Sequence, residues 1–161
     1  MSSKPRLMLV RASHALREPR VLKELRGFAE AGFETTLLCW DREADGPARD
    51  TWEGVQVRRC RLRAPYGSRW LFPLMPLWWA WAFAQLVRLR PDAVHACDFD
   101  TVVPALAARV FRRFRVVYDI YDFYSVKSGT IPAPLRGLFG RAERARERRA
   151  DAVVIADAAR G

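Results

Sequence analysis

Few side chains in this 161-residue sequence can do chemistry, and most of them fall at or just beyond the ends of short apolar runs. His14 and Arg17 follow Leu7–Val10. His95 lies within Asp92-Ala93-Val94-His95-Ala96-Cys97, and Asp98 and Asp100 come next. Asp119 lies near the end of Arg115–Ile120, and Tyr121, Asp122, Tyr124 and Ser125 follow it. A histidine, an arginine, carboxylates and phenols gathered in one place could bind sugar hydroxyls and a phosphate. Two of these residues have an equally good structural reading. His95, inside an apolar strand, reads either as a satisfied core histidine or as a ligand contact. Asp98 reads either as a cleft residue or as the cap of a helix starting near Thr101. Tyr121 and Asp122 lie beyond their strand, where a structural role is less compelling.

Other chemistries are excluded. The loop after the first strand is Arg11-Ala12-Ser13-His14, so the glycine-rich pyrophosphate cradle of a dinucleotide domain is missing. No P-loop and no GxSxG nucleophile elbow occurs. Two histidines do not make a multi-histidine metal site. Cys39, Cys60 and Cys97 are odd in number and widely spaced, which argues against a disulfide framework or structural zinc and for buried small hydrophobes in a reducing compartment. Neither metal nor cofactor is expected.

The elements that position these groups alternate. Arg6–Val10 reads as a strand, and Glu18–Ala31 as a helix with Pro19 in its first turn and Gly32 closing it. Phe33–Trp40 is a second strand, Asp41–Gly54 a polar loop, and Val55–Cys60 an edge or half-exposed strand. The central unit is strand Asp92–Cys97, helix Thr101–Arg113 and strand Arg115–Ile120. A helix between two short apolar strands makes them parallel, joined by a right-handed crossover. A charged helix, Leu135–Ala150, and a last strand, Asp151–Ala156, follow. The sum is an α/β, Rossmann-like, mostly parallel sheet of about six strands with helices on both faces, in one domain over residues 1–161. In such sheets ligands bind beyond the carboxyl ends of the strands.

Two features bear on partners. The formal net charge is +10, with 28 Lys and Arg against 18 Asp and Glu, which suits anionic lipid, nucleotide phosphate or nucleic acid. Leu71–Val87 carries no charge and is crowded with tryptophan. A helix over Leu77–Leu89 is roughly 20 Å long, too short for a bilayer core of about 30 Å. It reads either as core packing or as a peripheral membrane contact through Trp70–Leu89. The aromatic residues cluster apart from the arginines, so nucleic acid is not an expected partner. The apolar run near the N-terminus is too short for a signal peptide, and the expected location is cytoplasmic, either free or peripheral on the inner face of the plasma membrane.

The ordered segments resemble the N-terminal, acceptor-side half of the family-four GT-B glycosyltransferases. Glu18-Pro19-Arg20-Val21 is similar to a recurrent Asp-Pro-Arg-Val. Pro91-Asp92-Ala93-Val94-His95-Ala96-Cys97-Asp98 is similar to Pro-Asp-Val-Val-His-Ala-His-Asp. Val117–Ser125 is similar to Val-Tyr-Asp-X-His-Glu-Leu-Tyr-Ser. Cys97 and Tyr121 stand where the family places histidines. The resemblance implies the acceptor-binding half of a retaining enzyme that transfers a sugar from a nucleotide-sugar to a glycan or lipid-linked acceptor. Tyr121 and Asp122 would be catalytic, and His14, Arg17, His95 and Asp98 would bind substrate. It also implies that the nucleotide-sugar binds mainly a second, donor-binding domain, absent from this chain, so that the isolated domain is inactive. The alternative is a non-catalytic, membrane-associated adaptor that recruits a separate catalytic chain.

Overall fold

The computed structural model describes residues 3–65, 69–121 and 148–155. Its strands are β1 (Arg6–Arg11), β2 (Glu34–Trp40), β3 (Arg49–Trp52), β4 (Val55–Cys60), β5 (Ala93–Cys97), β6 (Arg115–Ile120) and β7 (Ala152–Ile155). They form one seven-stranded sheet in the order β3-β4-β2-β1-β5-β6-β7. Every pairing is parallel except β3 with β4. The helices among the described residues are α1 (Pro19–Glu30), α2 (Met75–Leu89) and α3 (Phe99–Arg109), with 3-10 segments at Ala15–Arg17 and Arg69–Leu74.

The Rossmann-like expectation holds, with one more strand than the sequence reading has. The added strand is β3, inside the stretch read as a polar loop. It makes β4 an interior strand and takes the edge position itself. Glu53 and Gly54 join the two, with φ of 47° and 83°. Positive φ at both turn residues gives the twist that a two-residue hairpin needs. Helix α3 begins two residues earlier than expected and ends four residues earlier. The expected helix Leu135–Ala150 lies largely outside the described residues.

Helix α1 packs on one face of the sheet, with Val21 and Leu25 against Leu9, Leu37, Val55 and Val57. Its C-terminus closes as a Schellman motif: Gly32 N–H donates to Ala29 and Phe33 N–H to Phe28, with Gly32 at φ 87°. The Phe28 and Phe33 rings meet edge-on, 6.5 Å apart, as the accompanying hydrophobic contact. Helices α2 and α3 cover the opposite face over Val10, Leu38, Trp40, Val94, Ala96 and Tyr118.

The tryptophan-rich stretch serves this second core. Trp78 is fully buried and stacks on Trp40 at 5.5 Å. Pro104 inside α3 has no N–H for the carbonyl of Asp100 one turn earlier. The indole N–H groups of Trp78 and Trp79 donate to that oxygen instead, at 3.1 and 2.9 Å. A proline that would otherwise leave a buried acceptor unmet is thus answered from the neighbouring helix. Among the described residues no helix is long and apolar enough to cross a membrane.

Candidate functional site

Strand periodicity and register together assemble the polar site. Alternate residues of a strand face the same side, and here Cys97 (β5) is the register partner of Arg11 (β1) on one side and of Asp119 (β6) on the other. All three face α1, at the carboxyl ends of their strands. His95 lies two residues back on β5, and Tyr121 follows Asp119 by two. Helix α1 brings Arg20 and Glu24, one turn apart, down onto this row. The loop after β1 and the residue preceding α1 add Ser13 and Glu18.

The groups form one connected network. Asp119 is buried, 1% exposed. Its carboxylate accepts from Arg20 at 2.7 Å through each oxygen and lies 3.0 Å from His95 Nε2. Burial would push the Asp119 carboxyl up, but the bonds to His95 and Arg20 outweigh it and hold it below the ordinary range. Arg20 also meets Glu24 at 3.0 Å, and the Glu24 carboxylate lies 3.7 Å from His95 Nε2. His95 is buried, its ring against Phe28. Next to these four residues Arg11 pairs with Asp98 and with Glu18, and Ser13 hydroxyl donates to Glu18.

Tyr121 joins the two halves. Its ring is held between the Arg20 and Arg11 guanidiniums, with centroid distances of 3.7 and 4.5 Å. Cations stacked on an aromatic face are attracted to it. The hydroxyl donates to Glu24 at 2.8 Å and the backbone N–H to Asp98 at 2.8 Å. Burial, then the proximity of Cys97 and Glu24, pushes the phenol far up. Tyr121 is therefore a donor and not a base.

The placement of the sequence-derived candidates divides. His95, Asp98 and Tyr121 come together in this network. His14 and Arg17 do not join it; they turn to the loop after β2, His14 to Asp45 at 3.5 Å and Arg17 to Glu43 and Asp45. Asp122 lies outside the described residues. Asp98 does occupy the N-cap position of α3, at φ 70°, but its side chain makes no capping bond. The capping reading is thus corrected: the carboxylate is taken by Arg11 and by Tyr121 N–H, and Thr101 hydroxyl bonds back to the Cys97 and Asp98 carbonyls. Arg11, Arg20 and Glu24 were not among the candidates. For Arg20 the signal was the Glu18-Pro19-Arg20-Val21 motif. For Arg11 and Glu24 nothing short of the register and the helix phase could find them.

Among the described residues two sets of side chains have ligand atoms within 4.8 Å of one another, Glu24 with His95 and Cys97, and His14 with Asp41 and Asp45. Neither is a ready metal cradle. Burial pushes the Cys97 thiol up, away from the thiolate a metal binds, and the hydroxyl of Tyr121 already donates to Glu24. The two oxygens of Asp41 accept backbone N–H from Ala44 and Gly46.

The comparisons with known proteins agree with this architecture. A family described as glycosyl transferase 4-like domain matches residues 18–159. No curated protein sequence matches the chain. Among solved structures, one of sucrose-phosphate synthase from Thermosynechococcus elongatus superposes with a TM-score of 0.70 at 13% identity, covering 95% of this chain and 77% of that one. A second structure of that enzyme gives 0.63 at 13% identity, covering 94% of this chain and 47% of that one. The catalytic domain of starch synthase IV from Arabidopsis thaliana gives 0.58 at 15% identity, covering 75% and 34%. At these identities the likeness is one of fold. The chain spans less than half the length of the last two structures.

Proposed function

The chain belongs to the glycosyl transferase 4-like domain family, and on that premise we propose that it is the acceptor-binding half of a retaining glycosyltransferase. In this reading a nucleotide-sugar is held mainly by a second, donor-binding domain, and the acceptor is a glycan or a lipid-linked glycan precursor. The observation that carries the reading is the polar network at the carboxyl ends of β1, β5 and β6, where an open parallel sheet presents its ligand site.

The network's part is positioning. It fixes the ring, hydroxyl and backbone of Tyr121, so the segment that continues to Asp122 starts from a rigid point. A rigid support of this kind holds reacting groups in geometry and spares the transition state the cost of ordering them. Tyr121 places a neutral phenol, its one O–H proton given to Glu24, where a related enzyme would offer a chargeable histidine. Peripheral contact with a membrane belongs to the same proposal. Leu77, Val110 and Phe111 are exposed by 56%, 82% and 65%, and Arg109, Arg112 and Arg113 flank the latter two in sequence.

The test uses this chain with its donor-binding half. Tyr121→Ala lowers turnover by about tenfold or more, equal to about 1.4 kcal/mol of transition-state stabilisation, while Tyr121→Phe loses less because the stacked ring remains. Equal turnover in wild type and Tyr121→Ala refutes the role of Tyr121. Calorimetry of the 161-residue chain alone should show no appreciable binding of UDP or GDP. Micromolar binding there contradicts the division of labour between the two halves.

A further inference from the structure

A second site stands on the other face of the sheet, far in the strand order from the network just described. The β3–β4 hairpin pairs Arg49 directly opposite Arg58. Like charges across an antiparallel pair destabilise a sheet, so such a pair persists only with compensation. Among the described residues no carboxylate supplies it: neither Arg49 nor Arg58 makes an ion pair, and neither does Arg88 on α2. The polar partner of the Arg58 guanidinium is the side-chain oxygen of Gln85 at 3.5 Å, at the outer limit of a hydrogen bond. Burial, and then the like charges of Arg49 and Arg88, push the Arg58 guanidinium below its ordinary value.

Arg49, Arg58 and Gln85 border a concavity. Arg49, Arg58 and Arg59 from the hairpin and Trp81 and Gln85 from α2 line a cavity of about 180 Å³. Arg59 is already paired with Asp50 at 3.3 Å. Arg58 also lines a neighbouring cavity of about 290 Å³, which Arg6, Gln56 and Glu34 border. The first cavity is below the roughly 300 Å³ at which ordinary small-molecule pockets begin. It suits a compact anionic group and not a whole sugar nucleotide.

We propose that the cleft between α2 and the β3–β4 hairpin binds a phosphate group through Arg49 and Arg58, with the Trp81 ring as its apolar wall. Guanidinium forks match phosphate oxygens in bidentate geometry. A bound phosphate would neutralise the cross-strand pair and displace the long Arg58–Gln85 contact at little cost. The indole beside it suits a phosphate carried on an apolar body at a membrane surface. The shared chemistry is the phosphate, either free as a soluble ester or as the head group of a lipid.

The experiment is thermal unfolding of the 161-residue chain with inorganic diphosphate, together with sedimentation on vesicles of phosphatidylglycerol or of phosphatidylcholine. Diphosphate raises the melting temperature of the wild type, and Arg58→Gln weakens that binding by about tenfold, the worth of one charge-assisted contact. Arg49→Gln repeats the test from β3. Arg17→Gln, in the separate ion-pair group, leaves the binding unchanged. Sedimentation with phosphatidylglycerol alone, lost in Arg58→Gln, identifies a lipid head group. A diphosphate response without sedimentation identifies a soluble ester. The proposal is overturned if the wild type responds to neither probe, or if Arg58→Gln and Arg49→Gln both respond as the wild type does.

Discussion

Replacing Arg20 by methionine tests the logic of the buried network most directly. The aliphatic stem is kept, and what is lost is the guanidinium that meets both oxygens of Asp119 at 2.7 Å, Glu24 at 3.0 Å and the Tyr121 ring at 3.7 Å. Asp119 is left as a carboxylate 1% exposed with His95 as its remaining side-chain partner. Breaking a fully buried ion pair costs about 3–5 kcal/mol. The Arg20 side chain is 35% exposed, so the expected loss is smaller, about 2–3 kcal/mol at pH 7. The pH dependence follows from the sign of the shift. In the wild type the Asp119 carboxyl is held below its ordinary value, so its stabilisation is full above the unfolded value of about 4 and is lost as pH falls through the folded one. In Arg20→Met burial pushes that carboxyl up, and protonation relieves the unpaired charge. The difference between variant and wild type therefore narrows between pH 7 and about pH 4.5. Urea unfolding at the two pH values measures it, and Arg17→Met, an exposed pair, serves as a reference expected to lose under about 1 kcal/mol. A loss for Arg20→Met no larger than that of Arg17→Met, or one independent of pH, refutes the reasoning.

Other outcomes follow from single features of the fold. Because Trp78 and Trp79 share the Asp100 carbonyl, the double change to phenylalanine should cost about 1 kcal/mol more than the sum of the single changes, since only then are both indole donors lost; additivity in a double-mutant cycle would contradict the account of Pro104. Gly54→Ala meets no atom within 4 Å, yet its φ of 83° should cost about 1–2 kcal/mol in equilibrium unfolding, and Gly54→Asn should cost less; equal stability of Gly54→Ala and wild type would deny the hairpin geometry. Burial pushes the thiols of Cys39 and Cys60 up to about 12 and about 11, and that of Cys97 up as well. At pH 8 a thiol reagent should leave all three unmodified in the folded chain and label all three in urea; rapid labelling of any one in the native state would show a more open core than this one.

Much of the architecture was legible because it depends on local patterns. Short valine-rich runs separated by helical periodicities specify a parallel sheet, and Gly32 after Phe28-Ala29 announces its Schellman closure. β3 escaped notice because Arg49–Trp52 has neither an apolar alternation nor a buried face; it is a strand only because β4 offers it a ladder. The tryptophan stretch could be read as core or as membrane contact from composition alone. The structure assigns Trp78 to the core, and the reason, a carbonyl stripped of its partner by Pro104, lies in another helix.

The site divides along the same line. The residues at the carboxyl ends of β5 and β6 are visible in the sequence, since strand ends can be read from where apolar runs stop. His14 and Arg17 were placed with them on equal grounds, and the fold turns them toward Asp45 and Glu43 instead. By itself the sequence determined six of the seven strands, that these six run parallel, and that His95, Asp98 and Tyr121 cluster at one edge. Only the tertiary structure decided that Arg11, Arg20 and Glu24 complete their charges, and that Arg49 faces Arg58 across a hairpin. Those contacts join residues up to 99 positions apart, and they depend on strand register and on the phase of α1 against the sheet, neither of which is carried by any one segment.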